Sequence, residues 1–257
     1  MDRIRIDRLK ADLRDLRLKN MAEAIDEALQ AAHDQQSGHL EFLSTLVDIQ
    51  KTAMQQRSVD RRVKQANFPG NMNFDNFDWH FQPELNIEQL KDLKSLGFIE
   101  QRRRLLIFGK TGVGKTHIAT ALGIEACKAG FRVRFFKFQE LLSFLYATLA
   151  DDATDEAIMK LSRLDLVIID HVGYIRQKNE YPSLLLDFIC ACQDRTALIV
   201  TSGVSLGQWS EAFGNSPVTH DIVDRLFHHA NVINIRKGRS YRSEGPDAPG
   251  WPSKTEP

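Results

Sequence analysis

The stretch "LLIFGKTGVGKTH" (residues 105–117) decides the fold. Four apolar residues predict a strand, the run after them matches G-x-x-x-x-G-K-[ST], and Thr116 opens a helical pattern that continues to residue 129. A glycine-rich turn between a strand and a helix N-terminus aims backbone amides at one point, where the helix dipole also favours negative charge. The pattern predicts a phosphate cradle over Gly109, Lys110, Thr111, Gly112, Val113, Gly114, Lys115, Thr116 and His117. In it the Lys115 ammonium is expected on the β and γ phosphates of ATP, and the Thr116 hydroxyl on Mg2+.

Outward from the cradle, "RVRFFKF" (132–138), "LDLVIID" (164–170) and "ALIVTS" (197–202) read as short apolar strands, with helical segments at 139–149 and 182–194 between them. Such a βαβ series predicts a doubly wound α/β domain, a parallel sheet with helices on both faces. A helical segment "THDIVDRLFHHA" (219–230) and a last strand "VINI" (232–235) follow, then a basic "RKGRSYR" (236–242). Upstream, residues 3–66 carry apolar stripes at helical spacing: Ile4, Leu9, Leu13 and Leu16; Met21, Ile25 and Leu29; Leu40, Leu43, Leu46 and Val47, with "HDQQSGH" (33–39) between the second and third. The expected domains are a small helical one over 1–66, an aromatic linker and lead-in helix over 67–103, the α/β domain over 104–242 and a disordered tail over 243–257. In the linker, Phe74, Phe77, Trp79 and Phe81 are expected to dock on a neighbouring surface.

Asp170 ends the third strand of the series, where a carboxylate can hold the water shell of Mg2+ opposite Thr116, or can be a plain strand-end aspartate. The residue after it is His171, where many ATPases place a glutamate that orients the attacking water. Three readings stay open for its imidazole: a general base, a weak substitute for the carboxylate, or a solvated residue with no catalytic role.

Lysine plus arginine equals aspartate plus glutamate, 34 each, so a polyanion must be met by local basic patches rather than by a global field. One candidate is "KTAMQQRSVDRRVKQ" (51–65), five basic residues against one acidic: Lys51, Arg57, Arg61, Arg62 and Lys64. Such a row would grip DNA phosphates without reading bases, and a solvated helix face is the alternative. "QRRRL" (101–105) and "RKGRSYR" are further candidates, although Arg242 can instead approach the nucleotide. Cys127, Cys190 and Cys192 lack metal-ligand spacing and read as small apolar filler. Neither a signal-peptide pattern nor a membrane-length apolar run is present, so a cytoplasmic protein is expected, with no membrane partner.

With the cradle, "IIDHVGY" (168–174) and "DIVDRLFHHANVINIRKGRSYR" (221–242) taken together, the chain resembles the IstB-like ATP-binding proteins, transposition helper ATPases related to the DnaC helicase loaders of the AAA+ class. The resemblance covers about residues 5–242, including "FDNFDWHF" (74–81) and "KTHIATALG" (115–123). It implies an AAA+ fold, ATP between subunits of a homo-oligomer that encloses duplex DNA, and a transposase encoded nearby as partner. It also implies that the arginine of the "DRL" triplet, Arg225, acts in trans on the neighbour's γ-phosphate; a bare arginine there otherwise reads as surface ion pairing. Two departures bear on hydrolysis. The family usually has "DE" where this chain has Asp170 and His171, and "SN" where it has Ser202 and Gly203. Thr201 or Ser202 is expected to compensate in part for the missing asparagine. ATP binding with slow or impaired hydrolysis is the resulting expectation, with a turning-over helicase loader and an ATP-locked DNA clamp as the alternatives.

Overall fold

Three helices open the chain: α1 (Asp2–Asp15), α2 (Lys19–Asp34) and α3 (His39–Ala66). The computed structural model describes residues 2–79, 81–82, 85–173, 178–205, 208–209, 217–235 and 238–244, and the chain divides into two units, Met1–Arg61 and Arg62–Pro257. In the first unit Met21, Ile25 and Ala28 of α2 and Leu46 of α3 form the core, with Ile6, Leu13 and Phe42 packed on it. The N-terminus of α2 has no capping side chain of its own. Gln50 supplies one instead: its Oε1, buried in the unit, accepts from the backbone N–H groups of Asn20 at 3.1 Å and Met21 at 3.3 Å.

Part of the apolar periodicity is left outside this core. Ile4, Leu9, Leu16, Leu40, Leu43 and Val47 are exposed, because α1 turns Ile6 and Leu13 inward and α3 turns Phe42, Leu46 and Gln50 inward. The third helix also outlasts its unit. Its last turn packs into the α/β core through Val63 and Ala66, so the boundary between the helical front and the α/β part falls at residue 61 rather than at 66.

The second unit contains α4 (Ile87–Lys94), α5 (Gly97–Glu100), β1 (Arg104–Gly109), α6 (Lys115–Lys128), β2 (Val133–Lys137) and α7 (Phe138–Ala147). After a 3-10 turn (Thr148–Asp151) come α8 (Thr154–Leu161), β3 (Leu166–Val172), α9 (Tyr181–Cys192), β4 (Ala197–Ser202), α10 (Pro217–Phe227), β5 (Ala230–Ile235) and α11 (Tyr241–Glu244). The strands form one parallel sheet in the order β2-β3-β4-β1-β5. Side chains alternate across a strand, and here the alternation makes two cores. Leu105, Ile107, Ile168 and Ile199 face α6 and the aromatic linker, while Leu106, Val167, Ile169, Leu198 and Val200 face α7, α8, α9 and α10. Each such buried aliphatic side chain contributes about 1.5–3 kcal/mol. Helices cover both faces, as the apolar strands require.

The linker aromatics dock as expected: Phe74, Phe77 and Phe81 are buried, and Trp79 packs against the same core. The helix α8 is not legible from periodicity; it is eight residues long and lies between the expected helix and strand. Cys127 and Cys192 are buried, which pushes their thiols up to about 11 and about 12, so neither is a thiolate near neutral pH. Among the described residues no helix is long and apolar enough to cross a membrane. The tail from residue 245, together with Tyr174, Arg236 and Lys237 of the quoted motifs, lies outside the described residues.

Candidate functional site

Strand order places the chemistry. Because β4 lies between β1 and β3, the cradle after β1 and the acid at the end of β3 are one strand apart, and β4 supplies Thr201, which holds the acid. Along most of its length β3 pairs with β4 residue for residue, as far as Ile169 opposite Val200; then Val172 pairs with Ser202, so Asp170 and His171 together face Thr201. One extra residue on β3 makes a β-bulge, which bends the strand and re-aims its side chains. His171 takes the left-handed conformation, φ 65°. Histidine is among the non-glycine residues that tolerate it best.

Thr201 locks this kink. Its hydroxyl accepts from the His171 N–H at 3.1 Å and donates to Asp170 Oδ1 at 2.5 Å. Thr116 Oγ1 lies 3.0 Å from both oxygens of Asp170, and the His171 ring sits with Nδ1 2.6 Å from Oδ2. Burial by itself would raise the Asp170 carboxyl, but hydrogen bonds from His171, Thr201 and Thr116 and the His171 charge outweigh it and hold the group below the usual carboxylate range. With Asp170 ionised, Nδ1 of His171 carries the proton. The other ring nitrogen, Nε2, belongs to a side chain that is 45% exposed and lines the same cavity as Thr116 and Gly203.

The cradle is built as the motif requires. Gly114, at φ 92°, starts α6 and has Phe77 so close that an added Cβ would sit 3.0 Å from its ring; Gly112, at φ 85°, faces Ser240, whose Oγ would lie 2.3 Å from a Cβ. Side chains at either position would displace the walls of the loop. Lys115 is buried and donates to the carbonyls of Gly109 and Lys110, both at 2.8 Å, which holds its ammonium inside the loop. Burial lowers its pKa, the nearby Asp170 charge opposes this, and the Arg242 charge adds to the lowering.

A cavity of about 370 Å³ opens over the loop. Thr111 to His117, His171 and Gly203 line it, together with Phe77, Phe81, Gln82, Tyr241 and Arg242. An amide-lined floor with one buried ammonium, a hydroxyl beside an ionised carboxylate, and aromatic walls fit a magnesium-bound nucleoside triphosphate. Sequence reasoning does not place Phe77, Phe81, Gln82 and Tyr241 at this cavity. The aromatic run upstream of the cradle is the signal that could have found them, and on its own it points only to docking.

Several expected residues lie elsewhere or face elsewhere. The His117 imidazole is turned to the linker, with Nε2 2.7 Å from Asn73 O and its ring edge-on to Phe77. Val113 is buried in the core, so only its backbone is available to a phosphate. Ser202 is buried as well; its hydroxyl bonds Val172 O, Val204 O and Trp209 Nε1. Thr201 is held by Asp170 and His171, so both hydroxyls have partners within the fold.

Arg225 is remote from the cradle of its own chain. It donates to Gln193 Oε1 at 3.0 Å and lines a second cavity, about 270 Å³, with Arg104, Asp221, Asp224 and His228. Arg104 begins β1 and the cradle follows its end. Six residues at about 3.3 Å each put roughly 17 Å between those ends.

The basic candidates separate. In the first unit Lys51, Arg57 and Arg61 are exposed, with Arg57 bonded to Asn20 Oδ1 at 2.8 Å. In the second unit Lys64 is exposed, but Arg62 is half-buried and donates to Cys127 O at 3.1 Å, one of the last carbonyls of α6. Of "QRRRL", Arg104 is buried and Arg102 pairs with Asp165 at 3.6 Å, which leaves Arg103 facing solvent.

Comparison with known proteins agrees with this architecture. Residues 11–246 match the family model described as "IstB-like ATP binding protein". A protein of Pseudomonas aeruginosa named as an ATP-binding protein of insertion sequence IS21 is 31% identical over 88% of this chain and 85% of its own. One of Bacillus thuringiensis subsp. berliner, named for insertion sequence IS232, is 31% identical over 91% of this chain and 93% of its own. Among solved structures, the crystal structure of the DnaC helicase loader superposes with a TM-score of 0.53 at 19% identity, covering 64% of this chain and 97% of that one, a likeness of fold. The cradle, the parallel sheet and a match across nearly the whole sequence make one statement: the chain belongs to the IstB-like ATP-binding family, whose curated relatives are named for insertion sequences.

Proposed function

We propose that the protein is an ATP-controlled helper of DNA transposition, which assembles as a homo-oligomer on duplex DNA and assists a transposase encoded nearby. The observation that carries the nucleotide half of this reading is that Lys115 and Thr116, at the start of α6, line one cavity while Thr116 bonds the Asp170 carboxylate at the end of β3. Insertion-sequence relatives spanning most of this chain support the transposition half.

In this reading the loop amides and Lys115 hold the β and γ phosphates, and Thr116 with Asp170 holds Mg2+ through oxygen ligands. Bound magnesium neutralises phosphate charge. Arg242, near enough to Lys115 to depress its pKa, faces the phosphates from the C-terminal side. Arg225, at the far end of β1, serves a neighbour's nucleotide, and Lys51, Arg57, Arg61 and Lys64 bear on DNA phosphates. Hydrolysis is slow, because His171 stands where a carboxylate would orient water and Gly203 offers no side chain. ATP then acts chiefly as an assembly ligand, and the protein behaves as a clamp with low turnover.

The test is imaging and sedimentation of the protein on duplex DNA with ATP, with ADP and without nucleotide, alongside phosphate release. ATP-dependent oligomers on DNA with little phosphate released are expected. Monomers in every condition would refute the assembly, and rapid release would favour a turning-over loader.

A further inference from the structure

The nucleotide cavity holds a polar atom that neither the cradle nor the family match explains. Gln82 follows Phe81 in the linker and is 4% exposed. Its amide orientation is fixed, because Nε2 donates to the Arg239 carbonyl at 2.5 Å, and a carbonyl can only accept. The other end, Oε1, is buried and has no hydrogen-bond partner among the described residues. Buried acceptors in folded proteins are almost always satisfied, and an exception marks a place where a water or a ligand belongs.

The surroundings narrow the ligand. Gln82 lines the cavity together with Phe81, whose ring meets Tyr241 edge-on at 5.0 Å and lies 4.8 Å under the Arg239 guanidinium. Flat aromatic walls suit a nucleobase, and in the reading proposed above the loop amides and Lys115 take the phosphates. Gly238 packs close to the amide, where a Cβ would lie 2.8 Å from Oε1 and would crowd it. An acceptor wants a donor, and on the 6-position edge of a purine the donor is the exocyclic amine of adenine. The 6-oxo group of hypoxanthine or guanine presents an acceptor to an acceptor.

We infer that Gln82 is a specificity-determining residue, whose Oε1 accepts from the adenine 6-amino group and so selects ATP over 6-oxo purine nucleotides. This rests on the nucleotide reading of the cavity proposed above. It predicts discrimination by a single buried hydrogen bond, which is about tenfold in affinity.

The experiment is a competition titration of the full-length protein with Mg2+ and a fluorescent ATP analogue, displaced by ATP, by purine riboside triphosphate, which lacks only the 6-amino group, and by inosine triphosphate. Wild type is expected to bind ATP about tenfold more tightly than purine riboside triphosphate, with inosine triphosphate weaker still. In Gln82→Met the ratio of ATP to purine riboside triphosphate affinity should fall to about one. A wild-type ratio of one overturns the inference, and it does so even if the variant fails to fold. A tenfold ratio retained in Gln82→Met also overturns it, since Gln82 would then only tie the linker to Arg239. Should wild type bind none of the three, the ATP reading itself fails, and Gln82 with it.

Discussion

At the scale of single residues, the site separates binding from turnover. Lys115 bonds only the carbonyls of its own loop, at Gly109 and Lys110, so removing it takes a cation from the phosphates without opening the core. Lys115→Ala should lower ATP affinity by about 10- to 100-fold, roughly 1.5–3 kcal/mol for a charge-assisted contact, with the melting midpoint within a few degrees of wild type. Fluorescence titration and thermal melts check this; wild-type affinity in the variant would count against it. His171 is the harder residue. His171→Glu restores a carboxylate beside Asp170, yet it must adopt φ 65°, where a glutamate carries about 1 kcal/mol of strain. The expected gain in phosphate release is therefore about tenfold, below the roughly 100-fold that a well-positioned base supplies. Because Thr201 and Ser202 are held by other partners, Gly203→Asn is needed for the second polar contact, and the double variant should exceed the sum of the single effects in free energy. A wild type that outpaces His171→Glu would instead make the imidazole the working base.

At the scale of elements, the basic row on α3 is two things. Arg62 holds a carbonyl at the end of α6, while Arg61 and Lys64 are exposed. Arg62→Ala should cost about 1–2 kcal/mol of stability and lower the midpoint by a few degrees, with the salt dependence of DNA binding nearly unchanged. Arg61→Ala with Lys64→Ala should leave the midpoint in place and reduce the salt slope by about 0.9 for each DNA phosphate that is no longer neutralised. Melting curves and anisotropy titrations over a range of salt separate the two, and a steeper drop in slope with Arg62→Ala would reverse the assignment. The same helix shows what the sequence can and cannot reveal. Strands and the cradle are legible because apolar runs and G-x-x-x-x-G-K-T are local signals, and the parallel sheet follows from their alternation with helices. Which arginine of a basic row turns inward depends on a carbonyl 65 residues away in sequence, and periodicity carries no such information. The bulge at Asp170 and His171 is equally hidden, since it is a mismatch of register between β3 and β4. Gln50 capping α2 from α3 is a third case of a long-range partner that no local pattern announces.

At the scale of the whole molecule, the roles proposed for the two units can be separated by deletion. Deleting residues 1–61 should leave nucleotide affinity within about threefold while weakening assembly on DNA, whereas deleting 1–66 also removes Val63, Ala66, the Arg62 bond to Cys127 O and the Gln65 carbonyl that Arg134 binds at 2.8 Å. The longer deletion should melt several degrees lower, since it removes packing and hydrogen bonds worth about 1 kcal/mol each where they are shielded from water. Equal midpoints for the two truncations would put the boundary back at 66. Assembly itself is tested through Arg225. From the start of β1 it cannot reach the cradle at the other end, roughly 17 Å away along six residues, so a role at the γ-phosphate has to be played on another subunit. Lys115→Ala keeps Arg225 but lacks a working cradle, and Arg225→Ala keeps the cradle but lacks the arginine. Each alone should release phosphate at least tenfold more slowly than wild type, in line with the effect of a charge aimed at a transferring phosphoryl group. Mixed on DNA, they should recover part of the wild-type rate, because some junctions then pair an intact cradle with an intact arginine. A mixture no faster than the average of its parts would show that Arg225 serves its own fold, held by Gln193, and that the neighbour's nucleotide is completed by some other residue.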